Sequence, residues 1–553
     1  MSTARPPVTR RGRAVLVAVS AVFAVVALRQ AWTDGPTIDE AIYLGSGLTA
    51  LTRHDLRITR QHPPLYKVLA AAPVLLLHPT IPRDAGWRAG DEHRVTVSFV
   101  HAEAVRGHLQ RDFFAARLVP VVESIAIAWM IALLCAALFG AGTGVVAGTL
   151  WLLDPLVLGV GHLDGIDIPS TLATLVVAFA VLHARREPSH RNLVLVGLAL
   201  GAAILTRSTG LLLVPVAALA LGPRRALRVA AVAWATIAVT YAVLATPRLL
   251  RGSVIGLLPR FVLPPDWISG LGKLAHIGQV PGPSFAFGHL HTGRWLLFWP
   301  AMLVAKLPPT TLLVLVAAPL AWFALDHAVR REAAIVVGLP ALVLGAFTLQ
   351  QQRPIGVRYL LPVVALWLVL AAPLIVEVTR RVGVVAPGAL LAGAAVTSAM
   401  LPSLSWTDPV FGAGYRVASD SNLDWGQSYP VVRRWTATHD HPWVEWFGAS
   451  GLSVADLPGA RDLRKAPAEI TGWVAVSASK LTAYDRRRLR WLRAYCPIDV
   501  LARTVLVYRF DSPPDRTIAG PDAPARECSG RSFSVLAAGT SPATAARAIG
   551  TPS

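Results

Sequence analysis

Charged residues are scarce in this chain of 553 residues. Asp, Glu, Lys and Arg make up 15% of the sequence and 54% of positions are hydrophobic, whereas an ordinary soluble domain has roughly 25% charged residues. The apolar residues lie in long blocks with almost no charge inside them, such as 119–138 and 357–376. Because about 20 apolar residues span the hydrocarbon core of a bilayer, this composition excludes a soluble multidomain protein and predicts a multispanning membrane protein.

Lysine is also scarce, although the chain is strongly basic with a net charge of +20. Arg is the side chain suited to phosphate recognition, but we attribute the bias mainly to genome composition. The basic residues flank the apolar blocks, as in membrane proteins, so the charge does not predict a nucleic-acid partner. Only five of the 52 basic residues are lysines: Lys67, Lys273, Lys306, Lys465 and Lys480.

Apolar blocks between charged residues or Pro and Gly predict about eleven transmembrane helices in an all-α membrane domain. Arg residues concentrate at the N-terminus and in alternate loops, which predicts a cytoplasmic N-terminus and an extracytoplasmic C-terminus in a multi-pass plasma-membrane protein. Only the turn at 140–144 lacks a basic residue among the predicted cytoplasmic segments. The predicted spans are 14–32, 117–139, 143–160, 167–184, 192–206, 209–221, 226–245, 309–325, 333–349, 358–376 and 382–401.

The chain divides into four predicted regions by composition. In the third region, residues 403–511, polar residues are spread among short apolar runs. This pattern predicts strands at 443–447, 473–477 and 504–510 and helices at 428–438 and 484–495. The regions are a basic cytoplasmic N-terminus (1–13), a transmembrane domain (14–402) with a large first outer loop (33–117), a small extracytoplasmic α/β domain (403–511), and a disordered tail rich in Pro, Ala, Ser, Thr and Gly (512–553).

The three cysteines fit this arrangement. Cys135 lies in the second predicted span and is expected to be a small packing residue. Cys496 and Cys528 both fall on the predicted outer side, where a disulfide can persist. Whether these two cysteines pair stays open from the sequence.

Two motifs in the first outer loop carry candidate functional groups. Asp39 and Glu40 are adjacent carboxylates just after the first span, where partial desolvation raises a pKa and suits a general base. The alternative is that both only favour a helix N-terminus. Further on, His62 precedes two prolines that begin a helix and Lys67 follows them, an arrangement suited to a phosphate or simply to a turn at the interface.

Two further motifs lie at predicted outer ends of spans. His162, Asp164 and Asp167 border the third and fourth spans, where charged groups are expensive unless they face a cavity or a partner. The alternatives are helix capping by Asp167 and a divalent cation held by these three residues. Arg358 begins the tenth span, where it either snorkels to lipid headgroups or pairs with a phosphate at the membrane surface.

Taken together, these segments resemble the polyprenyl-phosphate-dependent glycosyltransferases of the GT-C fold, glycosyltransferase family 39. Within that family they are most similar to the protein O-mannosyltransferase and aminoarabinose transferase branch. The resemblance extends from about residue 35 to 510, with the motifs in the expected order. It is carried by Asp39-Glu40 with Tyr43, His62–Leu65, Gly161–Leu163 with Asp167–Pro169, Leu205–Thr209, Trp295–Pro308, Gly356–Pro362 and Asp420–Gln427.

The resemblance implies roles for individual residues. Asp39 would be the catalytic base, with Glu40 beside it and Asp167 as the second carboxylate of the catalytic set. His62 stands where some members have a Lys, so a fixed cation is missing there; Arg207 likewise replaces a common Lys. The substrate-binding residues implied by the resemblance are Tyr43, His62, Lys67, His162, Asp164, Arg207, Arg358 and Tyr359.

The implied function is transfer of a sugar from a polyprenyl phosphate to a hydroxyl of an extracytoplasmic acceptor, with inversion at the anomeric carbon. Membrane lipids would be partners. A nucleotide sugar is not needed, and no Gly-rich phosphate loop follows a strand to bind one. No cofactor is expected, although a divalent cation stays open. The segment 420–427 either shapes the acceptor site or only connects the last span to the outer domain. The alternatives are a noncatalytic assembly protein and a lipid or sugar transporter. The sugar, the acceptor and the polyprenol length are not determined by the sequence.

Overall fold

A computed structural model describes residues 8–81, 83–249, 263–323, 325–399, 403–448, 451–521 and 523–524, and most of them are helical. The α-helices are α1 (Arg10–Thr33), α2 (Ile38–Arg53), α3 (Pro64–Leu75), α4 (Ala85–Ala89), α5 (Glu92–Val105), α6 (Leu109–Phe139), α7 (Val145–Leu152), α8 (Pro155–Val160), α9 (Asp167–Arg186), α10 (His190–Thr206), α11 (Leu213–Leu221), α12 (Pro223–Leu249), α13 (Pro265–Gln279), α14 (Phe298–Lys306), α15 (Pro309–Trp322), α16 (His327–Ala333), α17 (Leu339–Leu349), α18 (Leu361–Val382), α19 (Val385–Ser398) and α20 (Tyr429–Thr438).

Each of the eleven predicted apolar segments coincides with a helix or with two consecutive helices. The segment 143–160 is divided into α7 and α8, and four other segments form helices shorter than 18 residues, so the count of eleven spans stays a prediction. Six helices of the described residues are long and apolar enough to cross a membrane: Arg10–Thr33, Leu109–Phe139, Asp167–Arg186, Pro223–Ala245, His327–Leu349 and Val357–Val382.

Small residues allow the helices of the bundle to pack closely. Gly197 and Gly201 of α10 lie directly against Val232 and Thr236 of α12, so a Cβ atom at either glycine would collide with these side chains. Small residues four apart are typical of closely packed membrane helices.

The ends of the bundle agree with the predicted alternation of loops. Arg186, at the end of α9, pairs with Glu332 of α16 at 2.6 Å and donates to the carbonyl of Ala137 near the end of α6 at 2.9 Å. At the opposite end, ion pairs join the start of α9, the end of α10 and the turn before α18. The loops predicted to share one side therefore lie together, while the side that faces the cytoplasm stays a prediction.

A five-stranded sheet follows the helical part, in the order β4-β3-β5-β7-β6. Strand β3 is parallel to β4 and β5, and β7 is antiparallel to β5 and β6. The three predicted strands are confirmed, whereas the predicted helix at 484–495 is wrong: only short turns form there, a π turn at Lys480–Tyr484 and a 3-10 turn at Arg490–Ala494. The strands are β1 (Pro283–Ala286) and β2 (His289–Thr292) in a separate hairpin, and β3 (Trp443–Glu445), β4 (Arg461–Asp462), β5 (Gly472–Ser477), β6 (Asp499–Leu501) and β7 (Val505–Phe510).

Cys135 is buried in α6, as expected of a packing residue. Cys528 lies outside the described residues, so the question of its pairing with Cys496 stays open.

Candidate functional site

Asp39 lies in the first turn of α2, at the end of the bundle where α9, α10 and α18 carry their ion pairs. Thr37 caps the start of this helix, and its backbone N–H donates to Glu40 Oε2 at 2.8 Å in a capping-box arrangement. This fixed start sets the direction of the Asp39 side chain, which remains 30% exposed.

Asp39 is at one end of a series of ion pairs that continues through Arg358 and Asp167 to Arg207. Asp167 is at the start of α9, Arg207 is the extended residue that ends α10, and Arg358 lies in a 3-10 turn, Val357–Leu360, before α18. Asp167 Oδ1 pairs with Arg207 and its Oδ2 lies 3.4 Å from Arg358 Nε. An Arg358 terminal nitrogen then lies 3.3 Å from Asp39 Oδ2. The four formal charges alternate and cancel.

These four side chains face one cavity of about 210 Å³, called here the Asp39 cavity. Two basic groups and one partly exposed carboxylate on its wall suit a substrate with a phosphate and a nearby reacting hydroxyl. The lining residues are Asp39, Ile42, Tyr43, Thr59, Gln61, His62, Ile166, Asp167, Arg207, Ile355, Arg358 and Tyr359.

The environment of Asp39 disfavours its charged form. The pKa of Asp39 is raised to about 6, mainly by burial; Asp167 and Asp420 contribute to this rise, while Arg358 and Arg207 oppose it. A carboxyl with a pKa near 6 is ionised at neutral pH and still basic enough to accept a proton.

Tyr43 and His62 form another part of the cavity wall, with their rings edge to face and 5.5 Å apart. Burial, together with Arg207 and Lys67, lowers the pKa of His62 well below its usual value. The imidazole is therefore neutral near pH 7, so it offers an N–H to a phosphate rather than the positive charge that a Lys would supply.

Glu40 does not line the Asp39 cavity. It is fully buried, both of its oxygens pair with Arg117 at 2.7 Å, and Oε1 also accepts the backbone N–H of Asp164 at 2.7 Å. Although burial acts to raise the pKa of Glu40, Arg117 and the backbone donors outweigh it and hold this pKa below its usual value. The position of Glu40 does not support the predicted catalytic role, because its oxygens are occupied by structural partners.

Three other predicted binding residues lie outside the lining. Lys67 is buried and donates to the carbonyl of Thr59 at 3.0 Å, so it holds the turn that precedes His62. His162 pairs with Asp34 at 3.0 Å, and Asp164 is fully buried near Glu40.

The suggested cation site of His162, Asp164 and Asp167 is not formed. His162 pairs with Asp34 and Asp167 pairs with two arginines, so the three side chains do not converge. In the part of the chain that the structure describes, no group of three His, Cys, Asp or Glu side chains is arranged to hold a metal ion.

Residues of the segment 420–427 complete the site, and sequence reasoning left their role open. The ring of Trp425 covers the Arg358 guanidinium at 3.8 Å, and Asp420 contributes to the electrostatic environment of Asp39. The sequence also did not identify five of the lining residues: Ile42, Thr59, Gln61, Ile166 and Ile355. The motif at 420–427 was the only sequence signal for the contacts of Trp425 and Asp420. The other missed residues carry no charge, and nothing in the sequence marks them as part of a site.

Comparison with family models matches residues 108–250 of the 553 to the family described as dolichyl-phosphate-mannose-protein mannosyltransferase. The matched region contains Arg117, Asp167 and Arg207. The resemblance predicted from the motifs is therefore confirmed over this part of the chain. No curated protein matches the chain.

Several solved structures are similar to the chain at low sequence identity. ArnT from Cupriavidus metallidurans bound to undecaprenyl phosphate is 14% identical, with 91% of this chain and 99% of that one covered and a TM-score of 0.46. The Archaeoglobus fulgidus oligosaccharyltransferase in the apo form is 12% identical, with 84% and 70% covered and a TM-score of 0.44. The S. cerevisiae protein O-mannosyltransferase Pmt1-Pmt2 complex bound to the sugar donor is 15% identical, with 51% and 39% covered and a TM-score of 0.30.

Proposed function

We propose that this protein is a membrane glycosyltransferase that moves a sugar from a polyprenyl phosphate to a hydroxyl of an extracytoplasmic acceptor. The observation that carries the proposal is the Asp39 cavity, in which a carboxylate with a raised pKa faces two arginines at the end of a helical membrane bundle. The family match over residues 108–250 supports the same reaction class.

Asp39 acts as the general base. Of the two carboxylates in the series of ion pairs, Asp39 is the more exposed: 30% of its side chain is accessible, against 4% for Asp167. As the acceptor hydroxyl attacks the anomeric carbon, its proton passes to Asp39, and the new carbon–oxygen bond forms on the face opposite the phosphate. A single displacement of this kind inverts the anomeric centre.

Arg358 and Arg207 stabilise the leaving group. The bond between the anomeric carbon and the phosphate oxygen breaks with its electron pair on the oxygen, so the polyprenyl phosphate gains negative charge in the transition state. Fixed guanidinium groups aimed at developing charge lower the barrier. Asp167 holds one nitrogen of each arginine, which makes it a positioning residue for both.

The size and position of the cavity suit a lipid-linked donor. Its volume of about 210 Å³ is below the roughly 300–1,000 Å³ of typical small-molecule pockets, which suits a compact ligand such as a sugar-phosphate headgroup. A donor anchored in the bilayer leaves its tail in the membrane and places only the headgroup among Asp39, Arg207 and Arg358.

The test is replacement of the base in a strain that lacks the wild-type chain. Mass spectrometry of cell-envelope proteins and glycolipids first identifies the mass that disappears with the protein, which reveals the sugar and the acceptor together. We expect the wild-type chain to restore this mass and Asp39→Asn not to restore it, although the variant still binds undecaprenyl phosphate. Asp440→Asn, which changes a carboxylate that is 95% exposed, is the matched control and restores it. Restoration by Asp39→Asn would exclude the proposed base.

A further inference from the structure

The segment Asn422–Gln427, called here the strap, reaches from the sheet region back to the Asp39 cavity. Trp425 is its central side chain and is 3% exposed. Its ring covers the Arg358 guanidinium at 3.8 Å, closer than the 5.2 Å between this guanidinium and the ring of Tyr359. A cation over the face of a Trp ring is attracted by the ring quadrupole, most strongly where water is excluded.

The backbone of Trp425 contacts the other functional residue of the cavity. Its carbonyl accepts the N–H of Ile38 at 3.1 Å, and Ile38 immediately precedes Asp39 at the start of α2. The ring of Trp425 therefore contacts Arg358, and its backbone carbonyl contacts the start of the helix that carries Asp39.

The strap is anchored on both sides of this contact. Gln427 Oε1 accepts the backbone N–H of Trp425 at 2.7 Å, and its Nε2 donates to the Leu423 carbonyl at 2.7 Å. The backbone carbonyl of Gln427 accepts the N–H of Gly35 at 2.8 Å. These bonds hold Trp425 against the turn that enters α2.

Asn422 forms the second anchor. Its Oδ1 accepts the N–H of Val357 at 2.8 Å, and its Nδ2 donates to the carbonyl of Ile355 at 2.9 Å. Val357 precedes Arg358, so the strap is bonded to the two backbone turns from which the base and the arginine project.

We propose that Trp425 is a positioning residue that fixes Arg358 at a set distance from Asp39, so that the guanidinium faces the donor phosphate. This inference rests on the proposed function. Without the ring, Arg358 keeps its charge but is free to move away from Asp39 and pair more closely with Asp167, whose Oδ2 lies 3.4 Å from Arg358 Nε. Loss of the ring therefore weakens binding of the donor phosphate and leaves binding of the lipid tail unchanged.

The first test compares binding of two purified lipids to Trp425→Leu and to wild type in detergent. Undecaprenyl phosphate carries the phosphate and undecaprenol lacks it. We expect Trp425→Leu to weaken binding of the phosphate lipid about tenfold, which lies between the contributions of an exposed and a desolvated cation–π contact, and to leave undecaprenol binding unchanged. Equal weakening of both lipids, or of neither, would overturn the inference.

The second test is the acidic limb of the kcat/KM profile. Asp39 is surrounded by Arg358, Asp167, Asp420 and Arg207, and Arg358 is the first of these to lower its pKa. If the ring sets the distance between Arg358 and Asp39, its loss raises the pKa of Asp39 and moves the acidic limb to higher pH. A purely structural role for Trp425 would reduce activity and leave the limb in place.

A graded series keeps the test decisive if Trp425→Leu does not fold. Trp425→Tyr and Trp425→Phe retain an aromatic face that attracts a cation less strongly than Trp, so binding of undecaprenyl phosphate should fall in steps while undecaprenol binding stays constant. An affinity that does not follow ring type would contradict the inference.

The matched control is Trp443→Leu. Trp443, on β3, covers the Arg461 guanidinium at 4.1 Å but does not line the Asp39 cavity, and its loss should leave lipid binding and the pH profile unchanged. The two proposals fail separately: activity of Asp39→Asn contradicts the proposed base, whereas wild-type phosphate affinity and an unshifted pH limb in Trp425→Leu contradict the role of Trp425 alone.

Discussion

Asp39 and Glu40 are adjacent in sequence but differ in environment because successive residues of a helix point in directions about 100° apart. Asp39 faces the cavity and Arg358, while Glu40 faces Arg117 of α6 inside the protein. The sequence motif identifies both carboxylates as candidates, but separating them requires the position of Arg117, which lies 77 residues further along the chain. Periodicity cannot supply that long-range contact.

The raised pKa of Asp39 predicts the pH dependence of transfer. The base is active only when deprotonated, so we expect kcat/KM to fall below about pH 6, the pKa to which burial raises this carboxyl. Asp420 raises the pKa of Asp39, so Asp420→Asn should move the acidic limb to lower pH. Initial rates measured between pH 4.5 and 8.5 check both expectations, and a limb that moves to higher pH in Asp420→Asn would contradict the assignment of the limb to Asp39.

The buried pair of Glu40 and Arg117 predicts a stability effect. Glu40→Gln leaves the Arg117 guanidinium buried without its counterion, and breaking a buried pair in this way costs about 3–5 kcal/mol. We expect a clear fall in the melting temperature in detergent, with partial recovery in the double variant Glu40→Gln and Arg117→Met.

The matched control for that pair is Glu377→Gln. Glu377 pairs with Arg380 and Arg381, whose side chains are 74% and 75% exposed, and exposed pairs contribute little to stability. A melting temperature that falls as far in the control as in Glu40→Gln would argue against a special contribution of the buried pair.

At the scale of secondary structure, the apolar blocks predicted the positions of helices in the described part of the chain, because long apolar stretches have few other stable arrangements in a membrane. The break between α10 and the next turn was visible at Arg207, where the structure places a lining residue of the cavity. The strap was not predictable in the same way. Its hydrogen bonds reach backbone groups near residues 35, 355 and 357, and no local pattern records such distant partners.

Lys306 anchors the first residue of the strap, Asn422. Its ammonium, 1% exposed at the end of α14, donates to the carbonyls of Leu404, Trp406 and Asn422. In Lys306→Met three buried carbonyls lose their donor, and an unsatisfied buried polar group costs about 1–3 kcal/mol.

We therefore expect Lys306→Met to lower the melting temperature and to expose residues 403–422 to limited proteolysis. Lys465→Met removes an exposed lysine and serves as the control, with wild-type cleavage. If cleavage sites and melting temperature match the wild type in Lys306→Met as well, the lysine does not hold this segment.

At the scale of the whole molecule, the proposed function depends on which end of the bundle faces the cytoplasm. The Arg clusters predict that the end with Arg186 and Glu332 is cytoplasmic, and the Asp39 cavity lies at the opposite end. Two exposed positions report the two sides: Glu187, just after α9, and Asp440, just after α20. Wild-type cells provide the background from the native cysteines.

We expect a membrane-impermeant maleimide to label Asp440→Cys in intact cells and to label Glu187→Cys only after permeabilisation. The physical reason is that the Arg-rich loops are retained on the cytoplasmic side during insertion, which leaves the sheet and the cavity outside. The reverse pattern would place Asp39 and the arginines in the cytoplasm, away from an extracytoplasmic acceptor. Labelling of both positions in intact cells would instead place the end of α9 and the sheet on the same side of the membrane. That result would contradict the predicted alternation of cytoplasmic and outer loops, on which the orientation depends.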